Sequence, residues 1–189
     1  MSSIIKSVTS RNRSLSEELS EQDSESDFYT AAAHLINCPC VETEQALIDF
    51  LQYRITSCQS VKITKRKIVE VLARLGCIDA IPVIGKCLWS DDIYLVENTV
   101  WSLQTLRCND QALVDKMIDI LEVDIANQRV IIQCLSSLDV SRSIDIIRPF
   151  QFSTVPGIKG AAISAIAKLT HNSEKVPEIS LNLFLPNQM

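Results

Sequence analysis

Apolar residues recur every three or four positions over most of the chain, and short polar stretches separate these runs. Ile68, Leu72 and Leu75 show the spacing in one run. This period places apolar side chains on one face of an α-helix, whereas a strand would alternate every second residue. The pattern therefore predicts a succession of amphipathic helices from about residue 28 onwards.

Four of the predicted helices end alike, and their ends are evenly spaced. Steps of 31, 32 and 31 residues separate their final leucines, and the apolar residues three positions earlier keep the same steps. A polar turn and a second apolar helix follow each of the first three. Such a repeat is the signature of an α-solenoid, in which neighbouring units bury each other's apolar faces. We therefore predict an all-α, HEAT-like solenoid with a period of about 31 residues. The final leucines are Leu75, Leu106, Leu138 and Leu169.

The predicted organisation is a tail followed by one solenoid. Residues 1–27 are rich in serine and acidic residues, have little to bury, and are predicted to be a disordered tail. Residues 28–189 are predicted to form about five helix-pair units. The last stretch, residues 176–189, begins another second helix with no capping unit after it. We expect either a partner chain over that end or a sequence that is cut short.

Small residues mark the predicted first helix of the last unit. Gly160, Ala161, Ala162 and Ala165 follow Pro156. Small side chains at helical spacing let two helices approach closely, so we expect a neighbouring helix to pack against this segment.

Composition narrows the function classes. The net charge of -5 provides no general basic field for nucleic acid, and no apolar run is long enough for a membrane span.

Seven cysteines without an apparent signal peptide indicate free thiols. The Cys38–Cys40 pair has His34 nearby but no evident fourth ligand, so no metal site is predicted. Cys108, in a predicted turn beside Arg107, is the cysteine best placed to react.

The stretch 87–107 concentrates polar and aromatic chemistry in an otherwise aliphatic chain. One interpretation is structural, because an aspartate before a helix caps it and a tryptophan fills the seam between units. The other is a site for a flat, conjugated ligand, with aromatic faces that stack and carboxylates that accept hydrogen bonds from ring N–H groups. The residues concerned are Trp89, Asp91, Asp92, Tyr94, Glu97, Asn98 and Trp101.

A cationic segment precedes this stretch. The sequence KITKRK contains Lys62, Lys65, Arg66 and Lys67. These side chains either bind carboxylates of a ligand or form an ordinary solvated helix face.

At LWSDDIYLVENTVWSLQTL the sequence resembles the E/F-type phycobilin lyases, a family of HEAT-like proteins. The resemblance continues through NQRVIIQCLSSLDV, PGIKGAAISAIAKLT and LPNQM, and runs from about residue 64 to the end. The short chain points to the smaller, F-type subunit. The nearest match to the Asn-His-Cys motif of an isomerising relative is Leu106–Asn109, which lacks the histidine. The sequence therefore leaves isomerase activity open.

The resemblance implies a lyase subunit that works with an E-type partner in the cyanobacterial cytosol near phycobilisomes. Such heterodimers attach phycocyanobilin or a related phycobilin, through a thioether bond, to a cysteine of a phycobiliprotein α subunit. The linear tetrapyrrole is a substrate, and no permanently bound cofactor is implied. In this interpretation Asp91, Asp92 and Glu97 are the catalytic candidates, and Trp89, Tyr94, Asn98, Trp101, Lys65 and Arg66 are the bilin-binding candidates.

Two other functions remain open from the sequence. One is a non-catalytic HEAT-repeat adaptor that binds phycobiliproteins during phycobilisome assembly or degradation. The other is a protein-binding scaffold unrelated to pigment, because solenoids are mostly interaction surfaces.

Overall fold

The computed structural model describes residues 25–53 and 59–174. Within these ranges the ordered elements are all helical, which confirms the all-α prediction. Short 3₁₀ segments flank two of the short helices, at Ile78–Ala80, Cys87–Trp89, Ser141–Ser143 and Arg148–Phe152. The α-helices are α1 Glu25–Leu35, α2 Val41–Tyr53, α3 Gln59–Leu75, α4 Ile81–Lys86, α5 Ile93–Thr105, α6 Gln111–Val123, α7 Gln128–Ser137, α8 Ile144–Ile147 and α9 Pro156–Glu174.

The helices pair and stack as a HEAT-like solenoid, as predicted. The odd-numbered helices pack in series, α1 on α3, α3 on α5, α5 on α7 and α7 on α9. Each even-numbered helix packs against the first helix of the following unit. Helix α9 is therefore the first helix of a fifth unit, and the predicted second helix of that unit lies outside the described residues.

The predicted tail lies mostly outside the described residues. Helix α1 begins at Glu25, slightly before the predicted boundary at residue 28. Composition alone does not separate a polar first helical turn from a tail, which accounts for the difference.

Helices α3, α5 and α7 end with the same type of turn, so this turn recurs once in each of three successive units. Helices α3, α5 and α7 are each followed by a residue in the left-handed region, with φ of +74°, +52° and +56°. The next N–H then donates to the carbonyl of a fully buried leucine at 3.1, 2.9 and 3.0 Å, the hydrogen bond of a Schellman motif. The left-handed residues are Gly76, Arg107 and Asp139, and the accepting leucines are Leu72, Leu103 and Leu135.

Polar side chains fix the register between stacked units. The Asn98 side-chain amide donates to the Arg66 carbonyl at 3.3 Å, and the Ser102 hydroxyl to the Val69 carbonyl at 2.9 Å. The Asn127 amide donates to the Ile93 carbonyl at 3.2 Å. Each bond satisfies a polar group inside a seam where an unpaired one would cost stability.

No helix in the described part of the chain is both long and apolar enough to cross a bilayer.

Candidate functional site

The corner between α4 and α5 is built around Asp92. Its carboxylate accepts the Tyr94 N–H at 3.1 Å and so caps α5. It also accepts from Nε and Nη2 of Arg66 on α3, at 2.8 and 2.7 Å. Asp92 is only 6% exposed. The buried carboxylate is thus engaged by a cap and by a bidentate ion pair.

Two further contacts join α3 to the same corner. The Arg66 guanidinium lies 4.7 Å from the centroid of the Tyr94 ring, a cation–π geometry. Lys62 Nζ donates to both oxygens of Asp91 at 2.9 Å. This hydrogen bond and the lysine charge lower the pKa of the exposed Asp91 carboxyl below its ordinary value. Two of the four cations in the predicted segment, Lys62 and Arg66, are therefore paired with the two aspartates of the corner across two units.

Lys65 lies apart from these ion pairs. Its half-buried side chain is near the Cys87 thiol. Burial raises the pKa of Cys87 to about 11, although the Lys65 charge acts in the opposite direction. Cys87 is therefore a neutral thiol at physiological pH.

Glu97 and Trp101 lie one helical turn apart on the exposed face of α5. Among the described residues, none forms a hydrogen bond or ion pair with the Glu97 carboxylate. Trp101 keeps 37% of its surface exposed and lines a cleft together with residues of α7 and α9. Of the three predicted catalytic carboxylates, Glu97 is the one left available for chemistry.

Trp89 lies on a different surface. It ends the 3₁₀ segment after α4, is 60% exposed, and has Lys116 Nζ of α6 5.2 Å from its ring centroid. The Tyr94 ring lies against the Arg66 guanidinium, and Trp101 lines a cleft with residues of α7 and α9. The three aromatic residues therefore have different neighbours: Lys116 for Trp89, Arg66 for Tyr94 and the residues of an adjacent cleft for Trp101.

An open cleft of about 730 Å³ lies beside Trp101. Residues of α5, α7 and α9 line it, and because α7 packs between the other two helices, α7 forms the floor and α5 and α9 the walls. Its surface combines an indole, amides, hydroxyl groups and exposed backbone, a mixture suited to a flat ligand with polar edges. The lining includes Trp101 and Gln104 from α5, Gln133, Ser136 and Ser137 from α7, and Gly157, Gly160, Ser164 and Lys168 from α9.

The small residues of α9 have two different roles. Ala162 and Ala165 are buried and pack against the core, as expected. The expectation of close helix packing is wrong for Gly160, because a Cβ there meets no atom within 4 Å. Because Gly160 has no side chain, the cleft stays open along this part of α9.

Cations lie near both ends of the cleft wall formed by α9. Lys168 donates to the Ser136 carbonyl at 2.7 Å and lies 3.2 Å from Asp139. Arg129, on the first turn of α7, places its Cδ 3.4 Å from the position that a Cβ would occupy at Gly157. Among the described residues, no hydrogen bond or ion pair involves the Arg129 guanidinium. Lys168 is thus engaged and Arg129 is available.

Two curated proteins are similar to this chain, and no protein-family model matches it. Over 169 residues the chain is 78% identical to "Bilin biosynthesis protein CpeY" of Synechococcus sp. (strain WH8020), a match that covers 89% of this chain and 40% of CpeY. Over 163 residues it is 32% identical to "Uncharacterized phycocyanin operon protein Y" of Pseudanabaena tenuis (strain PCC 7409), covering 86% of this chain and 38% of that protein.

The chain belongs to the E/F-type phycobilin lyase family. This confirms the resemblance found in the sequence. The chain spans about two fifths of the length of the curated relatives that it matches. Length therefore gives no support to the F-type assignment of this family member, which stays a prediction.

A solved structure supports the lyase-family fold. The chain is similar to the complex of CpcE and CpcF of phycocyanin lyase from Nostoc sp. PCC7120, with a TM-score of 0.64 and 22% identity. The match covers 81% of this chain and 62% of that chain. At this level of identity the likeness establishes the fold alone.

The thiols of this family member do not provide a nucleophile at the predicted position. Cys108 follows the left-handed Arg107, is only 3% exposed, and has a pKa raised by burial. The expectation that Cys108 is the most reactive cysteine is therefore wrong, because the turn directs its side chain into the core.

Within the described ranges, no group of three or more His, Cys, Asp and Glu residues is arranged to hold a metal ion.

Much of the cleft was not predicted from the sequence. The α9 positions 157, 160, 161, 164, 165 and 168 recur at three- and four-residue intervals and share one helix face. That pattern was visible as a small-residue face, but it suggested packing rather than an open surface.

Proposed function

We propose that this chain is the solenoid part of a bilin lyase. The reaction attaches phycocyanobilin or a related phycobilin to a cysteine of a phycobiliprotein α subunit through a thioether bond. The observation that carries the proposal is 78% identity to a bilin biosynthesis protein over 169 residues. The cleft beside Trp101 supports it, since its volume of about 730 Å³ is in the range of small-molecule sites.

The proposed chemistry is an addition and needs no oxidant or reductant. The acceptor sulfur bonds to the exocyclic carbon of an ethylidene group on an end ring of the bilin. The ethylidene double bond becomes a single bond, and the proton lost by the thiol is balanced by a proton gained at the ring carbon. Protonation of the conjugated system makes it more electrophilic, so a carboxyl group near the bilin nitrogens promotes the step.

Different residues bind the bilin and transfer the proton. Trp101 stacks on a pyrrole ring, and the Gln104 and Gln133 amides bind the polar edges of the bilin. Glu97, one turn before Trp101 and without a partner among the described residues, is the proton-transfer group. Holding the bilin and presenting it to the acceptor thiol provides the largest part of the acceleration.

Asp91, Asp92 and Arg66 have a supporting role in this proposal. Their ion pairs join α3 to α5, the helix that carries Glu97 and Trp101. Tyr94 and Asn98 belong to the same supporting cluster through their contacts with Arg66.

The partners are part of the proposal. An E-type subunit completes the enzyme, in line with the solved complex of CpcE and CpcF that shares the fold. The bilin is a substrate rather than a resident cofactor, and the reaction takes place in the cytosol, where the acceptor phycobiliprotein assembles.

Co-expression tests the function. The chain is produced with a bilin source, a phycobiliprotein α subunit and an E-type partner, and covalent bilin on the acceptor is detected by zinc-enhanced gel fluorescence. The lyase proposal expects acceptor fluorescence that requires this chain. If the chain binds the acceptor but leaves coupling unchanged, it is an adaptor and the lyase proposal fails.

A further inference from the structure

At the edge of the cleft, beside the lining residue Gly157, the guanidinium of Arg129 is left available by the contacts of the described residues. Arg66 already binds both oxygens of Asp92 and faces the Tyr94 ring. Lys168 is held by the Ser136 carbonyl and Asp139. Recruiting either one to a ligand would break contacts that stabilise the solenoid, whereas recruiting Arg129 breaks none among the described residues.

Arg129 is also positioned on the correct side of its helix. It lies one turn before Gln133 on α7, so helical periodicity puts both on the face that forms the cleft floor. Its aliphatic stem lies against Gly157, at a distance of 3.4 Å from Cδ to the position of a Cβ on that glycine. The absence of a side chain at residue 157 leaves room for the stem beside the start of α9.

We infer that Arg129 binds a carboxylate of an anionic, conjugated ligand whose ring system stacks on Trp101. This inference rests on the proposed function, in which the ligand is a linear tetrapyrrole with two propionate groups. A guanidinium presents paired N–H donors that match the two oxygens of a carboxylate, and such charged bonds are stronger than neutral ones. Arg129, rather than the predicted Lys65 or Arg66, is then the group that recognises the acid.

The inference has a chemical test that uses two forms of one ligand. Phycocyanobilin is titrated into the full chain both as the free diacid and as its dimethyl ester, and binding is followed by absorption. The variants are Arg129→Gln and, as a matched control, Arg74→Gln, which removes another exposed arginine that pairs with Glu70 on α3. Circular dichroism checks that each variant is folded.

We expect Arg129→Gln to weaken binding of the diacid about tenfold, the loss of one charge-assisted contact, and to leave ester binding unchanged. Arg74→Gln should bind both forms as the wild type does. If Arg129→Gln leaves diacid binding unchanged, or weakens both forms equally, the assignment of Arg129 is wrong while bilin binding itself stands. If the wild-type chain binds neither form, the proposed function fails and this inference fails with it.

Discussion

The guanidinium of Arg66 and the carboxylate of Asp92 form a bidentate pair that joins two stacked units, with N–O distances of 2.8 and 2.7 Å. The aspartate also caps α5, so one buried carboxylate fixes both the start of a helix and its attachment to the neighbouring helix. The side chain of Arg66 is 22% exposed and that of Asp92 is 3% exposed, which limits screening by solvent. This pair sets the position of the helix that carries Glu97 and Trp101.

Replacing Asp92 with alanine should destabilise the protein. The change removes the cap and leaves the Arg66 charge without its partner, at a combined cost of about 2–3 kcal/mol in the free energy of unfolding. Urea denaturation followed by circular dichroism measures it. Asp91→Ala is the control, because the ion pair of that exposed carboxylate with Lys62 is screened by solvent and should contribute much less stability. Equal and negligible effects from both changes would contradict the structural role of Asp92.

Glu97→Gln should affect transfer rather than folding. The substitution keeps the size of the side chain but removes the acid, so bilin attachment should slow at least about tenfold if Glu97 transfers a proton. The midpoint of thermal unfolding should stay unchanged, because no described residue pairs with this carboxylate. Coupling rate and melting temperature are measured on the same preparation. A normal rate would remove Glu97 from the mechanism.

Arg107→Gly should stabilise the chain. Arg107 has φ of +52°, where a residue with a Cβ is strained and glycine is not. The expected gain is about 0.5–1 kcal/mol, after allowance for the greater freedom of glycine in the unfolded state. Gly76→Ala, the reverse change at the equivalent turn, should cost about 1 kcal/mol. Chemical denaturation of both variants measures these effects, and a loss of stability in Arg107→Gly would show that the side chain makes a compensating contact.

The buried thiols should resist modification in the native protein. Burial raises the pKa of Cys134 to about 12, and Cys108 is also buried with a raised pKa. Iodoacetamide at pH 8 should therefore label the exposed Cys38 and spare Cys108 and Cys134. Mass spectrometry of tryptic peptides identifies the sites, in a Cys58→Ser background because Cys58 lies outside the described residues. Rapid native labelling of Cys108 would contradict its burial.

The raised pKa of Cys134 predicts that the free energy of unfolding falls at alkaline pH. The ordinary value of 9.0 applies to the unfolded thiol, while native Cys134 keeps its proton until about pH 12. Its contribution to stability is therefore complete below pH 9 and is lost as the pH rises towards 12. Cys134→Ala should flatten the fall in unfolding free energy above pH 9. An unchanged pH profile would contradict the predicted linkage.

The helices and their period were predictable because both follow from local patterns. The spacing of apolar residues predicts the helices, and the recurring leucines predict the number of residues in each repeat. The Arg66–Asp92 pair was not predictable, since its members are 26 positions apart and meet only through the register between units. The cleft was missed for a related reason. A small residue such as Gly160 looks the same in sequence whether a helix packs against it or solvent does.

The most direct test of the bilin-binding account blocks the cleft without disturbing the fold. In Gly160→Leu the new side chain projects into open space, because a Cβ at this position meets no atom within 4 Å. Thr170→Leu is the matched control, since Thr170 is exposed on the same helix and is not among the residues that line the cleft. The measurement is the absorption spectrum of phycocyanobilin added to each protein. If the cleft binds the bilin, the spectrum changes with the wild type and Thr170→Leu, and remains that of the free pigment with a folded Gly160→Leu. An identical spectral change with all three proteins would contradict bilin binding in the cleft.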